Sequence, residues 1–128
     1  MPWVNSYLSF NQYKLTVGNQ QLTYIDKAVI SKIYQAHTLS WPQGGSIAPL
    51  DLSEENLLRS EFSSAVVGKS ADQLKTIWAQ SLFTGKAGPP KVMASGEEVK
   101  KAVVRKKNAI GYIRASSVDD SVRVVFTQ

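Results

Sequence analysis

The stretch PLDLSEENLLRSEF, Pro49 to Phe62, decides the class of fold, because a strand runs into a helix within it. The segment SIAPL, residues 46–50, predicts a short strand. Pro49 cannot donate to a ladder, so the strand is expected at a sheet edge, or Pro49 at the strand's end. Ser53 then stands where an N-cap belongs, and Glu54 and Glu55 follow in the first turn, where acids complement the helix dipole. Leu57, Leu58, Phe62, Ala65 and Val66 mark the helix, and Gly68 is the residue expected to stop it as C′. A helix N-terminus with free N–H groups is also a ready anion site. The same residues therefore pose the functional question: whether they hold an anion, or whether the two glutamates already fill that role.

Outward from this junction the chain alternates. YKLTVG, residues 13–18, has the β-branched and apolar content of a strand and ends on a turn glycine. Thr23 and Asp26 have capping-box spacing ahead of a stripe of Ile25, Val29, Ile30, Ile33 and Tyr34. SWPQGGS, residues 40–46, is turn punctuation. Ser70 with Gln73 is a capping box opening ADQLKTIWAQSLF, where Leu74, Ile77, Trp78 and Leu82 recur at helical spacing. TGKAGPP is a loop and KVMA a short strand. Ser95 with Glu98 is a further capping box, opening GEEVKKAVVRKK. AIGYI and VRVVF are final strands joined by the polar RASSVDDS. The first twelve residues form an arm or an added strand. The order β-α-β-α-α-β-α-β-β predicts one α/β domain over residues 1–128, with helices flanking a largely parallel sheet. AIGYI is expected to be its central buried strand. The expected core comprises Ile30, Ile33, Ile47, Leu58, Phe62, Val66, Leu74, Trp78, Phe83, Val99, Val103 and Ile110.

Composition removes several functions. With 43% hydrophobic and 20% charged residues the chain is ordinary for a globular domain. It has no cysteine, which excludes disulfides, thiol catalysis and thiolate metal sites, and its one histidine, His37, cannot build a two-His metal site or relay. No metal and no cofactor are expected. No apolar run is long enough to span a membrane, so membrane insertion is not expected. The N-terminal MPWVNSYLSF lacks the basic and apolar regions of a secretory signal. The GKS of VVGKS lacks the upstream glycine of a phosphate-binding loop and follows a helix rather than a strand. The carboxylate pairs Glu97–Glu98 and Asp119–Asp120 are adjacent in sequence and do not resemble a spaced acid/base pair. No catalytic residue emerges, and the chain is read as a non-enzyme.

Charge is uneven: residues 1–64 carry 4 basic and 5 acidic groups, residues 65–128 carry 11 and 5. A basic half suits acidic partners or a solvated surface. Lys100, Lys101, Arg105, Lys106 and Lys107 could track a phosphate backbone. The last three belong to a helix's final turn, where cations favour the dipole, and no aromatics interleave with them. Nucleic acid is accordingly the least favoured partner. In FTGKAGPPK, Thr84, Gly85 and Lys86 are a secondary candidate anion loop, since glycines let N–H groups converge. A tight connection shaped by Gly85, Gly88, Pro89 and Pro90 is the preferred reading.

Several phrases together resemble a family. ISKIYQAHTLSWPQGGSIAPLDL is similar to a segment of periplasmic phosphate-binding proteins, the substrate-binding components of phosphate ABC transporters. The run from LRSEF through NAIGYI, ending at Ile113, is similar to that family's continuation and its closing signature. The similarity covers about residues 14 to 126. It implies a type II periplasmic binding protein fold, here as a single lobe with a central mixed β-sheet flanked by helices. It also implies a periplasmic location and a non-enzymatic role in binding phosphate or another small anion. One lobe cannot enclose a ligand unless a partner supplies the other wall, so either a shallow, weak site or a homodimer or protein partner is expected. In the family a Ser-Gly-Thr grips phosphate at the start of the helix after the second strand, followed by Arg and Phe. Aligned on Arg59 and Phe62, this chain has Asn56-Leu57-Leu58 instead. The resemblance makes Ser53, Asn56 and Arg59 the anion-contact candidates and implies that the grip is altered or lost. Two alternatives stand beside it: a ligand-free structural or sensory interaction domain, and a basic nucleic-acid-binding protein.

Overall fold

A computed structural model of the chain describes residues 13–17, 24–42 and 44–127, the first of these as a backbone strand. The expected arm of residues 1–12 and the expected cap Thr23 lie outside the described residues.

β1 (Tyr13–Val17) precedes α1 (Lys27–Tyr34), β2 (Ala48–Leu52), α2 (Leu57–Phe62), α3 (Ala71–Phe83), β3 (Lys91–Met93), α4 (Gly96–Arg105), β4 (Ala109–Arg114) and β5 (Arg123–Thr127). The strands form one sheet in the order β3-β2-β4-β1-β5. β2 runs parallel to β3 and to β4, while β1 is antiparallel to both β4 and β5. The sheet is therefore mixed, with β1 the reversed strand. The two final strands are consecutive along the chain but separated in the sheet by β1. β4 is central and buried from Ala109 through Ile113.

Alternation along β4 gives the sheet two covered faces. Gly111 faces α4: a Cβ there would come within 2.5 Å of Val99 Cγ1. That close approach requires glycine, because Val99 is β-branched and stiff. Tyr112 faces the other side, where its ring stacks on Phe62 with centroids 3.9 Å apart, and Tyr34 of α1 meets the Phe62 edge at 4.9 Å. Trp78 of α3 joins this layer by donating its indole N–H to the Tyr34 carbonyl at 2.9 Å.

Local signals explain most helix ends. The Ser70–Gln73 capping box forms in full, and Gly68 ends the α2 segment at φ 81°. Ahead of Gly68, α2 widens into a π turn, Ser63–Val67. At Ser95 half the box forms: its side chain accepts from Glu98 N–H, while the Glu98 carboxylate accepts from Ala94 N–H instead.

Two caps move relative to the sequence expectation. α1 starts one residue after Asp26, which is its N-cap through the Val29 N–H. Ser53 is not the cap of α2. Its N–H still pairs with the Met93 carbonyl as an extension of β2, and Asn56 caps instead, accepting from Leu58 N–H. Glu54 and Glu55 thus precede the helix rather than occupying its first turn.

Pro49 lies near the start of β2, inside the sheet rather than at its edge. Ala48 donates to Asn108 on the β4 side, so the missing Pro49 N–H points the other way, where β3 begins to pair only at Leu50. The core contains ten of the twelve expected residues. Ile47 is half-buried, and Phe83 is 91% exposed at the end of α3. No helix among the described residues is long and apolar enough to cross a membrane.

Candidate functional site at the carboxyl ends of β2 and β4

In open α/β sheets the crevice where connections leave neighbouring strands in different directions is the usual ligand position. Here it lies at the carboxyl end of β2, which has β3 on one side and β4 on the other. The chain leaves β2 for α2 and α3 on the aromatic face, while the connection from β3 to β4 crosses the opposite face through α4.

The β2–β4 register covers only Ala48–Ala109 and Pro49–Ile110. Beyond it, β2 stays laddered to β3, while its backbone groups on the β4 side find side-chain partners instead. Tyr34 donates its hydroxyl to the Leu50 carbonyl at 2.8 Å. Leu52 N–H reaches the Tyr112 hydroxyl at 3.3 Å and the Asp51 carboxylate at 2.9 Å. Arg59 donates from Nη1 to the Leu52 carbonyl at 3.0 Å. Each of these side chains satisfies a polar group that burial would otherwise penalise.

Asp51 is the hub. Its Oδ1 accepts a short hydrogen bond from the Tyr112 hydroxyl, and its Oδ2 lies 3.8 Å from Arg59 Nε. Both charged side chains are mostly covered. Burial, reinforced by the Asp51 charge, pushes the Tyr112 phenol far above its ordinary value, and the same causes raise Tyr34. Both phenols therefore remain neutral donors. At the rim Glu54 pairs with Lys75 at 3.1 Å, and that bond, with help from the Arg59 charge, lowers the Glu54 carboxyl below its usual value. Beside these groups a cleft of about 400 Å³ runs between α3 and the strands, lined by Leu74, Trp78, Pro89, Pro90 and Val92.

Ser53 and Asn56 stand on the β2–α2 connection and Arg59 in the first turn of α2; Ser53 closes a turn with Asn56, whose N–H donates to the Ser53 carbonyl at 3.0 Å. The Asn56 carboxamide caps α2, and Arg59 is turned inward to Asp51 and Leu52. Thr84, Gly85 and Lys86 are far along the chain, at the end of α3. The Gly85 N–H donates to Leu82 and the Lys86 N–H to Ser81, the two bonds of a Schellman cap. The Thr84 hydroxyl donates back to Gln80 and Ser81. In this loop the Lys86 ammonium is the exposed group left for an anion.

Sequence reasoning did not single out Asp51, Tyr112 or Tyr34. The available signal was a lone acid between Leu50 and Leu52 in an apolar strand, a placement that demands a partner. Among the described residues no cluster of His, Asp and Glu could hold a metal ion.

No protein-family model matches the chain, and no curated protein sequence does. Solved structures do match in fold. A protein described as a phosphate ABC transporter substrate-binding protein from Clostridium perfringens, with bound phosphate, superposes with a TM-score of 0.71 at 24% identity, over 88% of this chain and 43% of that one. An ABC-type phosphate transport receptor from Vibrio cholerae gives 0.69 at 22% identity, over 88% and 44%. PstS from Borrelia burgdorferi gives 0.68 at 14%, over 88% and 46%. The chain thus spans less than half the length of the solved structures it matches.

Proposed function

We propose that this chain, which has the fold of nearly half of a phosphate ABC transporter substrate-binding protein, is a non-enzymatic binding module. Its crevice between β2 and β4 takes a phosphate-type anion weakly, with the opposing wall supplied by a partner or a second copy. The candidate contacts are Ser53, Asn56 and Arg59, with Lys86 in the secondary loop. The observation that carries the word weakly is the Asp51–Arg59 pair. The guanidinium an anion would seek already faces a carboxylate, and a second acid, Glu54, sits at the rim. An incoming phosphate meets negative charge before it meets Arg59, and like charges at such range oppose binding. The reading carries a periplasmic location with it.

Calorimetric titration with inorganic phosphate, alongside melting temperature, tests this. Weak saturable heat that weakens further in Arg59→Ala is expected. No heat and no change in melting temperature at millimolar phosphate would overturn binding. That outcome would leave the second reading, a ligand-free interaction domain, which the self-satisfied Asp51–Tyr112–Arg59 network favours.

A further inference from the structure

On the far side of β3 from this crevice lies a larger cleft of about 690 Å³, between the β3 edge and α4. Its apolar floor includes Ile47, Pro49, Met93 and Ala102, and four cations border it: Lys91, Lys101, Arg105 and Lys106. One carboxylate, Glu98, lines the same cleft, and it is bonded to the Ala94 N–H. All four cations are exposed, and no ion pair to them occurs among the described residues. The neighbouring Lys100 differs, being held between Glu97 and Asp119. α4 therefore keeps one lysine for its own structure and turns uncompensated charge to the cleft.

Among the described residues β3 is the terminal strand of the sheet. The Ser53 N–H bonds the Met93 carbonyl, so the Met93 polar groups face β2 and those of Val92, one residue earlier, face away from the sheet. Val92 is 53% exposed. Pro89 and Pro90 ahead of β3 offer no N–H, which keeps the open edge short.

We propose that this cleft docks an extended acidic segment of a partner protein. The segment lies along the β3 edge, with its carboxylates against Lys91, Lys101, Arg105 and Lys106 and an apolar side chain on the floor. Charge complementarity selects the acidic chemistry, and the Val92 N–H and C=O, without a partner among the described residues, select an extended backbone over other acidic shapes. Nucleic acid is the poorer fit, because among the described residues no aromatic side chain lines the cleft on which a base could stack. The inference does not depend on phosphate binding in the β2–β4 crevice.

The test uses the full chain and a fluorescein-labelled peptide of alternating Glu and Val, read by anisotropy. Saturable binding that falls with salt is expected. The double variant Lys101→Glu/Arg105→Glu, both changes at exposed positions, should weaken it by about tenfold or more. Val92→Pro removes an N–H that β2 does not use, so it leaves the sheet paired; it should also weaken binding, with the denaturation midpoint reporting the fold. No binding, an equal affinity for the Lys-Val counterpart, indifference to the double variant, or indifference to Val92→Pro would each overturn the proposal. A single-stranded oligonucleotide binding as tightly as the acidic peptide would overturn it in favour of a general polyanion site. Phosphate competing at Arg59 would leave the peptide signal unchanged, so failure here and failure of the crevice reading are separable.

Discussion

The two clefts beside β3 have opposite charge economies. On the crevice side, Asp51, Arg59, Glu54 and Lys75 are charged, yet each stands close to an opposite charge. On the α4 side, Lys91, Lys101, Arg105 and Lys106 border one carboxylate and form no ion pair among the described residues. The crevice is built into the fold, while the basic cleft is laid over it. A charge that satisfies backbone groups, as Arg59 does for Leu52, is costly to divert to a ligand. A solvated charge on an exposed helix face costs the fold little and remains available.

The largest effect expected from this contrast is at Phe62. Its ring lies between Tyr34 and Tyr112 and is 2% exposed. Phe62→Ala should destabilise the chain by about 3–5 kcal/mol, the range for emptying a buried aromatic position. Lys101→Ala, on the basic cleft, should stay within about 0.5 kcal/mol of the parent. Urea denaturation measures both. A Phe62→Ala loss as small as that of Lys101→Ala would erase the distinction between a crevice built into the core and a cleft laid over it.

A sharper probe changes charge with little change of shape. Asp51→Asn removes the negative charge beside Arg59 and should tighten phosphate binding by about tenfold or more. A unit charge about 4 Å away is worth about 1 kcal/mol in water and about 4 kcal/mol at an effective dielectric of 20. Calorimetry on wild type and variant side by side reads the ratio. An unchanged or weaker affinity would mean that Asp51 is not what keeps anions from Arg59.

The same contrast marks what the sequence could disclose. Caps at Ser70 and Gly68 and the burial of β4 follow from short-range chemistry, and they formed as the spacing implied. The cap of α2 did not, because Ser53 and Asn56 are both good N-cap residues and the choice between them was tertiary. The N–H of Ser53 is drawn into the sheet by Met93, and the helix can begin only after the turn that follows. Leu82 and Phe83 carry the apolar character of a core stripe, yet both lie exposed in the last turn of α3. Nothing in the spacing shows where the covering layer ends. The crevice was legible only as far as Arg59. Its partner Asp51 comes from the preceding strand and Tyr112 from a strand sixty-one residues further on, a meeting that no local pattern encodes.

The smallest expected effect concerns Lys100, the α4 cation that is ion-paired among the described residues. The hydrogen bond from Lys100 at 2.8 Å, with those from Ser121, holds the Asp119 carboxyl well below its usual value, and the bond to Asp119 raises Lys100. A carboxyl depressed in the folded state contributes stability that is fully present above its unfolded value, about 3.9, and is lost as pH falls through the folded one. A raised lysine contributes stability below its unfolded value, about 10.4, which is lost as pH rises through the folded one. Asp119→Asn should therefore flatten the acid limb of the stability profile below about pH 4, and lower stability slightly between the two limbs. Because the groups are solvated, the change should shrink in high salt. Asp120→Asn, one residue along and outside this pair, is the control. Denaturation midpoints across pH that coincide for wild type, Asp119→Asn and Asp120→Asn would show that the Lys100 pairing holds nothing in place. Lys100 would then join Lys101 and Arg105 as charge available to a partner.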